Sequence, residues 1–327
     1  MNRKIQIGVG LLVLSYGQLL VPKNWSVMHH FAAGFILTPC VALFALGVIV
    51  LSEGIVERFK GVSLLSLARG DSGKLIRFLF VAGTVGLLAE IFAQWLGKLW
   101  YYAYYPTWFY WPALIPSFIF YWVMIIESYM ATKAILDHVI KRGGEQKEGP
   151  LAYHQIEHTL YTALGTVGFG LLLFGLVELF FNYQAKGGYV FDTLRPVVYA
   201  PPVRYVVSCF AGVWFIGEAV LYTRGLPSLI RSLLHGYIVP AVSILSTSVI
   251  VSLIWESQNA HVGYWIYTNW PGLDKTVFGV QLSVLSGWPM NYVVYLVAAA
   301  AIMASWAPVF WSRPEEPKKR KAIAHEV

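Results

Sequence analysis

Five carboxylates interrupt otherwise apolar sequence: Glu90, Glu127, Glu178, Glu218 and Glu256. A charged carboxylate in hydrocarbon costs at least about 2.5 kcal/mol on insertion scales, so such a group faces a bundle interior, a partner or water. A neutral, buried carboxylic acid facing a groove is what proton transfer to an apolar substrate requires. A Glu near a helix end also reaches back to the interface, or bonds a Tyr, Trp or His purely to fix packing. Spacing separates the five. Glu256 is followed seven residues on by Gly263, then by Trp265 and Tyr267. Glu90 is followed at the same offset by Gly97, then by Trp100-Tyr101-Tyr102. The return segments carry Pro116, Tyr121 and Trp122 in one case and Gly287-Trp288-Pro289-Met290-Asn291-Tyr292 in the other. A weaker copy starts at Glu178, with Gly187-Gly188-Tyr189 and then Pro201-Pro202.

An apolar helix ending in Glu, an aromatic loop and a Pro-containing return helix thus form a unit used about three times, which constrains the architecture first. Glu90, Glu256, Glu127 and Glu178 are the candidate catalytic groups. Trp100, Tyr102, Trp122, Trp265, Tyr267, Trp288 and Tyr292 are the candidates for substrate contact. Glu90 and Glu256 are expected to face the bundle interior, with at least one touching a Tyr, Trp or His of the adjacent loop. Glu127 and Glu218 sit deeper on the return segments, and for Glu178 and Glu218 a packing role is the simpler assignment.

The elements that must position these groups are membrane helices. The chain is 57% hydrophobic and 13% charged, whereas a soluble domain carries roughly a quarter charged residues. Apolar runs of about 20 residues cross ~30 Å of hydrocarbon. Eight spans are expected, at 5–22, 30–52, 77–97, 109–135, 159–182, 203–222, 233–256 and 280–308. The first follows Arg3 and Lys4 but no small-x-small cleavage pattern, so it is assigned as a retained helix. Eighteen of the 24 Lys and Arg fall in the N-terminus, in the loops 53–77, 133–158 and 223–232, and in the tail. Positive charge marks the cytoplasmic side, which puts both termini there and every aromatic connection outside. The expected fold is all-α: one helical bundle over 1–312, four hairpins with related hairpins at 77–135, 159–222 and 233–308, then a polar cytoplasmic tail, 313–327. The net charge of +7 reports topology and attraction to anionic lipid headgroups, and not nucleic-acid binding. Trp and Tyr are enriched at membrane interfaces in any case, but Trp100 to Trp111 is denser than a belt needs and fits a lid or a pocket mouth.

Other motifs add little. His154-Gln-Ile-Glu157-His158 matches an H-x-x-E-H zinc-peptidase pattern but offers no clear third ligand. Haem needs two facing histidines, and the conceivable pairs, His29 or His30 with His261 and His158 with His235, lie at span ends. Asn24-Trp-Ser26 is a glycosylation sequon with meaning in a secretory context alone. Cys40 and Cys209 fall mid-span and read as small hydrophobes. Ser243, Ser246, Thr247, Ser248 and Ser252 suit close helix packing in the seventh span. No metal and no cofactor is indicated.

The motif Glu-x6-Gly-x-Trp-x-Tyr, followed by a helix with Gly-x-Pro and aromatics, resembles the repeated hairpin of membrane-integral carotenoid enzymes. These are the lycopene cyclases of the heterodimeric or fused type and related carotenoid hydratases. The resemblance covers Glu256 to Tyr295 best and Glu90 to Glu127 next. It implies acid chemistry on a polyene without a cofactor. The cyclases carry a Pro-x-Glu-Glu cluster on the return helix, where this chain reads Pro289-Met290-Asn291-Tyr292 and Pro116-Ser117-Phe118. Two function classes therefore stand side by side. One is an enzyme doing acid–base chemistry on an isoprenoid or carotenoid-like lipid, with aromatic faces stabilising a carbocation. The other is a non-catalytic subunit, or a lipid- or pigment-binding scaffold, of a membrane complex. A secondary transporter fits less well. Convergence of the carboxylates on one cavity discriminates between them.

Overall fold

The computed structural model describes residues 2–20, 30–68, 72–96, 99–102, 107–140, 153–185, 203–267 and 275–313. Gly97, the loop Tyr183 to Tyr199 beyond Ala185, the sequon at Asn24 and the tail beyond Arg313 lie outside them, as do the side chains of His30 and His154. The chain is a bundle of helices: α1 (Arg3–Ser15), α2 (His30–Arg58), α3 (Leu64–Ala68), α4 (Ser72–Glu90), α5 (Thr107–Ile140), α6 (Tyr153–Ala185), α7 (Val203–Thr223), α8 (Leu229–Leu234), α9 (Val239–Val262), α10 (Leu282–Ile302) and α11 (Ala307–Trp311). Seven of them, α2, α4, α5, α6, α7, α9 and α10, are long and apolar enough to cross a membrane. The chain is an all-α, multi-pass membrane protein.

The segment expected as a span at 5–22 differs. Its α-helix is 13 residues long and tightens into a 3₁₀ turn, Tyr16–Leu20. The turn has a physical reason: it brings buried Ser15 and Gln18 onto Gln258 of α9, with Gln258 Nε2 donating to Ser15 Oγ at 3.2 Å and Gln18 also bonded to Gln258. Gly8 meets Leu51 and Gly54 meets Ile5, so α1 and α2 run antiparallel in close contact.

The core forms where α4, α5 and α10 meet the C-terminal segment. Trp122, Tyr129, Tyr292, Trp306, Phe310 and Trp311 are all fully or nearly fully buried there. Towards lipid the helices present Phe80, Phe169 and Phe181, each more than 60% exposed. Such a girdle is what a bundle spanning hydrocarbon presents to its solvent.

Two short strands cap one end. β1 (Trp100–Tyr102) follows α4 through a π-helical turn, Ile91–Leu96, and β2 (Trp265–Tyr267) follows α9. They pair antiparallel, Trp100 on Tyr267, Tyr101 on Ile266 and Tyr102 on Trp265. Each strand reads Trp-x-Tyr, so the ladder is self-complementary and carries a local two-fold through its central pair. The π turn explains an irregularity: ten residues separate Glu90 from Trp100, against nine from Glu256 to Trp265. A π turn takes up one additional residue, which restores the phase. A second hairpin, β3 (Thr276–Val277) with β4 (Val280–Gln281), leads into α10.

Candidate active site

Glu90 and Glu256 end up on one cavity of about 230 Å³ below the β1–β2 ladder. α9 delivers Glu256 from its last two turns and stops at Gly263, whose φ of 77° is a left-handed cap that a residue with a Cβ rarely adopts. The chain then reverses so that Tyr267 reaches back over the helix. Tyr267 Oη donates to Glu256 Oε1 at 2.7 Å, Trp288 Nε1 of α10 donates to the same oxygen at 3.3 Å, and Asn259 Nδ2 lies 3.5 Å from Oε2. Asn259 also fixes the strand itself: its amide donates to the carbonyl of Trp265 at 3.1 Å, and Trp265 N donates to its Oδ1 at 3.0 Å. Glu90, 4% exposed, accepts from Trp100 Nε1 at 3.1 Å. Both carboxylates thus receive a donor from the strand that follows them.

The strands roof the cavity by simple alternation. Residues i and i+2 of a strand share a face, so Trp100, Tyr102, Trp265 and Tyr267 form one aromatic plate, and all four line the cavity. Trp265 Nε1 donates to Tyr267 Oη at 3.0 Å. Burial pushes the Tyr267 phenol well above its usual range, and the Glu256 carboxylate beside it adds to this, so Tyr267 stays a donor.

The walls come from α2, α4, α5, α9 and α10, with Phe210 from α7. α10 contributes Val284, Gly287, Trp288, Asn291 and Tyr295, a stripe at helical spacing. Tyr121 of α5 lies across from it, its ring 5.7 Å from both Trp288 and Tyr295. Trp255 of α9 stacks on Trp265 at 5.7 Å. Gly86 of α4 passes so close to Phe118 that a Cβ there would lie 2.5 Å from it, which holds α4 and α5 together beside Glu90. Of the 25 described lining residues, twelve are aromatic, two are Glu and none is Lys, Arg or His. The wall therefore favours positive charge, in a ligand or in a transition state.

The other sequence candidates lie elsewhere. Trp122 sits one layer behind, its ring 5.0 Å from Tyr295 and its Nε1 donating to the Tyr295 carbonyl at 3.1 Å. Tyr292 faces α5, its Oη 3.0 Å from Ser128 Oγ. Glu127 is fully buried near the opposite end, where Oε1 accepts from Leu65 N at 3.1 Å. Glu178, on α6, is not among the lining residues. Glu218 accepts from Trp214 Nε1 at 3.2 Å and from Ile230 N at 3.2–3.3 Å. Glu157 of the H-x-x-E-H match bonds His235 Nε2 at 2.6 Å, and no group of three metal-binding side chains occurs among the described residues. Sequence reasoning missed Tyr121, Trp255, Tyr264, Asn291 and Tyr295 as cavity residues.

Comparison with protein-family models, with curated proteins and with solved structures finds no match to this chain.

Proposed function

We propose that this protein is a cofactor-independent membrane enzyme that performs acid–base chemistry on one end of a long unsaturated lipid of isoprenoid type. The observation that carries it is the convergence of Glu90 and Glu256, two buried carboxyl groups from different helices, on one aromatic cavity. In the reaction one carboxylic acid gives its proton to a substrate double bond, leaving a carboxylate and a carbocation. The faces of Tyr121, Trp288 and their neighbours lower the energy of that cation. The second carboxylate removes a proton from an adjacent carbon, so the product is an isomer and no electron acceptor is consumed. The volume favours an end group over a whole carotenoid-length chain, since pockets that engulf drug-sized ligands run to roughly 300–1,000 Å³.

The bundle completes this proposal when α1 and its 3₁₀ turn are counted as an eighth span. Both termini are then cytoplasmic, as the Lys/Arg distribution favours, and the cavity lies in the outer half of the bilayer. The α4–α5 and α9–α10 hairpins are copies of one repeat, related about the ladder. Membrane lipids surround the bundle, and other membrane subunits fit its exposed helices.

Deuterium oxide supplies a test that works whatever the product is. Purified protein in lipid nanodiscs is incubated with a panel of acyclic isoprenoids, and carbon-bound deuterium is read by mass spectrometry. Incorporation that disappears in Glu90→Gln with Glu256→Gln is the expected outcome. A second function, a lipid- or pigment-binding scaffold, gains support from the protein donors already on both carboxylates. It predicts a bound lipid that co-purifies, with no deuterium in it.

A further inference from the structure

We infer that the cavity is loaded sideways from the bilayer, through a portal between α2 and α5, and is shut against water by the strand ladder. This deepens the proposed lipid site and rests on its being a ligand site.

Three observations meet here. The ladder plates the end of the cavity with four aromatic side chains, of which Trp100 bonds Glu90, Tyr267 bonds Glu256 and Trp265 bonds Tyr267. Deeper along α5 and α10, Tyr121 and Tyr295 meet with ring centroids 5.7 Å apart, and Trp122 packs on Tyr295 at 5.0 Å. The exposed residues among the described lining are Ala42 on α2 with Ser117 and Phe120 on α5, and Phe120 is 42% exposed. Deeper along the same two helices the gap closes, where Phe44 and Ala45 pack with Met124. The exposed edge is thus a slot in the membrane-facing surface next to the ladder.

Volume then selects the occupant. At about 230 Å³ the cavity is smaller than the roughly 300–1,000 Å³ pockets that engulf drug-sized ligands, so it takes one end of a long chain and not the whole. A long chain with its end in the cavity must leave through an opening, and an opening onto hydrocarbon keeps the remainder of the chain apolar-solvated. The ligand class is therefore an elongated, bilayer-dissolved lipid that enters end first, and not a water-borne solute.

The test uses a cysteine reporter in the full chain with Cys40→Ala and Cys209→Ala, held in nanodiscs. Asn291→Cys places a thiol in the cavity, and Val284→Cys serves as the second reporter if the first fails to fold. Two probes compete: an alkyl maleimide that partitions into the bilayer, and a charged trimethylammonium methanethiosulfonate confined to water. The expected result is modification by the alkyl maleimide at least tenfold faster than by the charged probe, once each rate is divided by that for an exposed control thiol. Ala42→Trp with Ser117→Trp is expected to slow the maleimide tenfold or more. The inference is overturned if the aqueous probe reacts as fast, if neither reaches the thiol, or if the two tryptophans leave the maleimide rate unchanged. Since no turnover is read, a protein that transfers no deuterium can still pass, which separates this outcome from the enzymatic proposal.

Discussion

The two ends of the bundle both bury carboxylates, and they use them differently. At the end opposite the ladder several of them hold connecting segments in place, while Glu53 pairs with Lys4 of α1 at 3.3 Å. Glu218 binds the first turn of α8 through Ile230 N, Glu127 binds α3 through Leu65 N, and Glu157 binds His235 after α8. Asp137 takes Lys133 at 2.9 Å and Tyr237 Oη at 2.7 Å. There the carbonyls of Phe310 and Trp311 also receive Tyr129 and Ser232, both at 2.6 Å. At the ladder end Glu90 and Glu256 accept from side chains and face a cavity. A carboxylate that grips backbone across a loop is spent on geometry, whereas one that lines a cavity is placed to meet a ligand. Burial alone does not distinguish them; what lies across from the carboxyl does.

The largest effect expected from this contrast is on turnover. Glu90→Gln with Glu256→Gln should lower deuterium incorporation by roughly 100- to 10,000-fold, the range of a lost acid–base group, with little change in thermal unfolding. Glu127→Gln with Glu218→Gln should do the reverse, destabilising the fold and sparing the rate per folded molecule. Equal losses of rate in both pairs would erase the distinction between the ends.

Next in size is stability at the gripping end. Glu218→Leu removes the acceptor of the half-buried Trp214 Nε1 and Ile230 N, and each orphaned donor costs about 1–3 kcal/mol. A loss of about 3 kcal/mol is expected in denaturant titration of the purified protein. Glu218→Gln should recover part of it, because the amide oxygen still accepts. An unshifted midpoint for Glu218→Leu would show that the contact carries no weight.

A smaller change tests how the ladder end is built. Asn259→Ala removes two hydrogen bonds to the Trp265 backbone, at about 1 kcal/mol each. It should loosen β2, seen as faster hydrogen exchange at Trp265 and Tyr267. Exchange that stays as slow as in the wild type would mean that the ladder holds without it.

Much of the ladder end was legible because its signals are local. Glu256, Gly263 and the Trp-x-Tyr run stand out within twelve residues, but the expected helix ends at Glu256 and opens into a loop, whereas α9 runs on to Val262 and Trp265–Tyr267 is a strand. The Glu90 copy was legible by its glycine offset, although nothing in its pattern announced the π turn that corrects its phase. The return helices were less readable because they are apolar on every side. Adjacent Tyr121 and Trp122 point about 100° apart on a helix, and the sequence does not say which one meets the cavity. Trp288, Asn291 and Tyr295 make a stripe at i, i+3 and i+7, but Tyr292 joins Trp288 in an equally good one at i, i+4. Tertiary packing chose between them. The binding of Leu65 and Ile230 by Glu127 and Glu218 was invisible for a related reason, since the partners are backbone N–H groups that every residue but proline has.

The smallest effect concerns the donors on Glu256 and tests whether they tune the group or merely hold it. Tyr267→Phe removes the shortest of its hydrogen bonds while leaving Trp288 and Asn259 in place. The ring remains to pack against Trp100, whose centroid is 6.3 Å away. Loss of one hydrogen bond to a carboxylate corresponds to about 1–2 kcal/mol, a rate change of roughly 5- to 30-fold. Trp265 Nε1 loses its acceptor at the same time, so the melting temperature should also fall by a few degrees. The decisive measurement is the double variant. If Tyr267 acts through Glu256, then Tyr267→Phe adds nothing to the rate loss of Glu256→Gln, because groups in one hydrogen-bonded unit are non-additive. If the two losses multiply, Tyr267 touches the ligand itself, and the roof of the cavity is part of the chemistry that it covers.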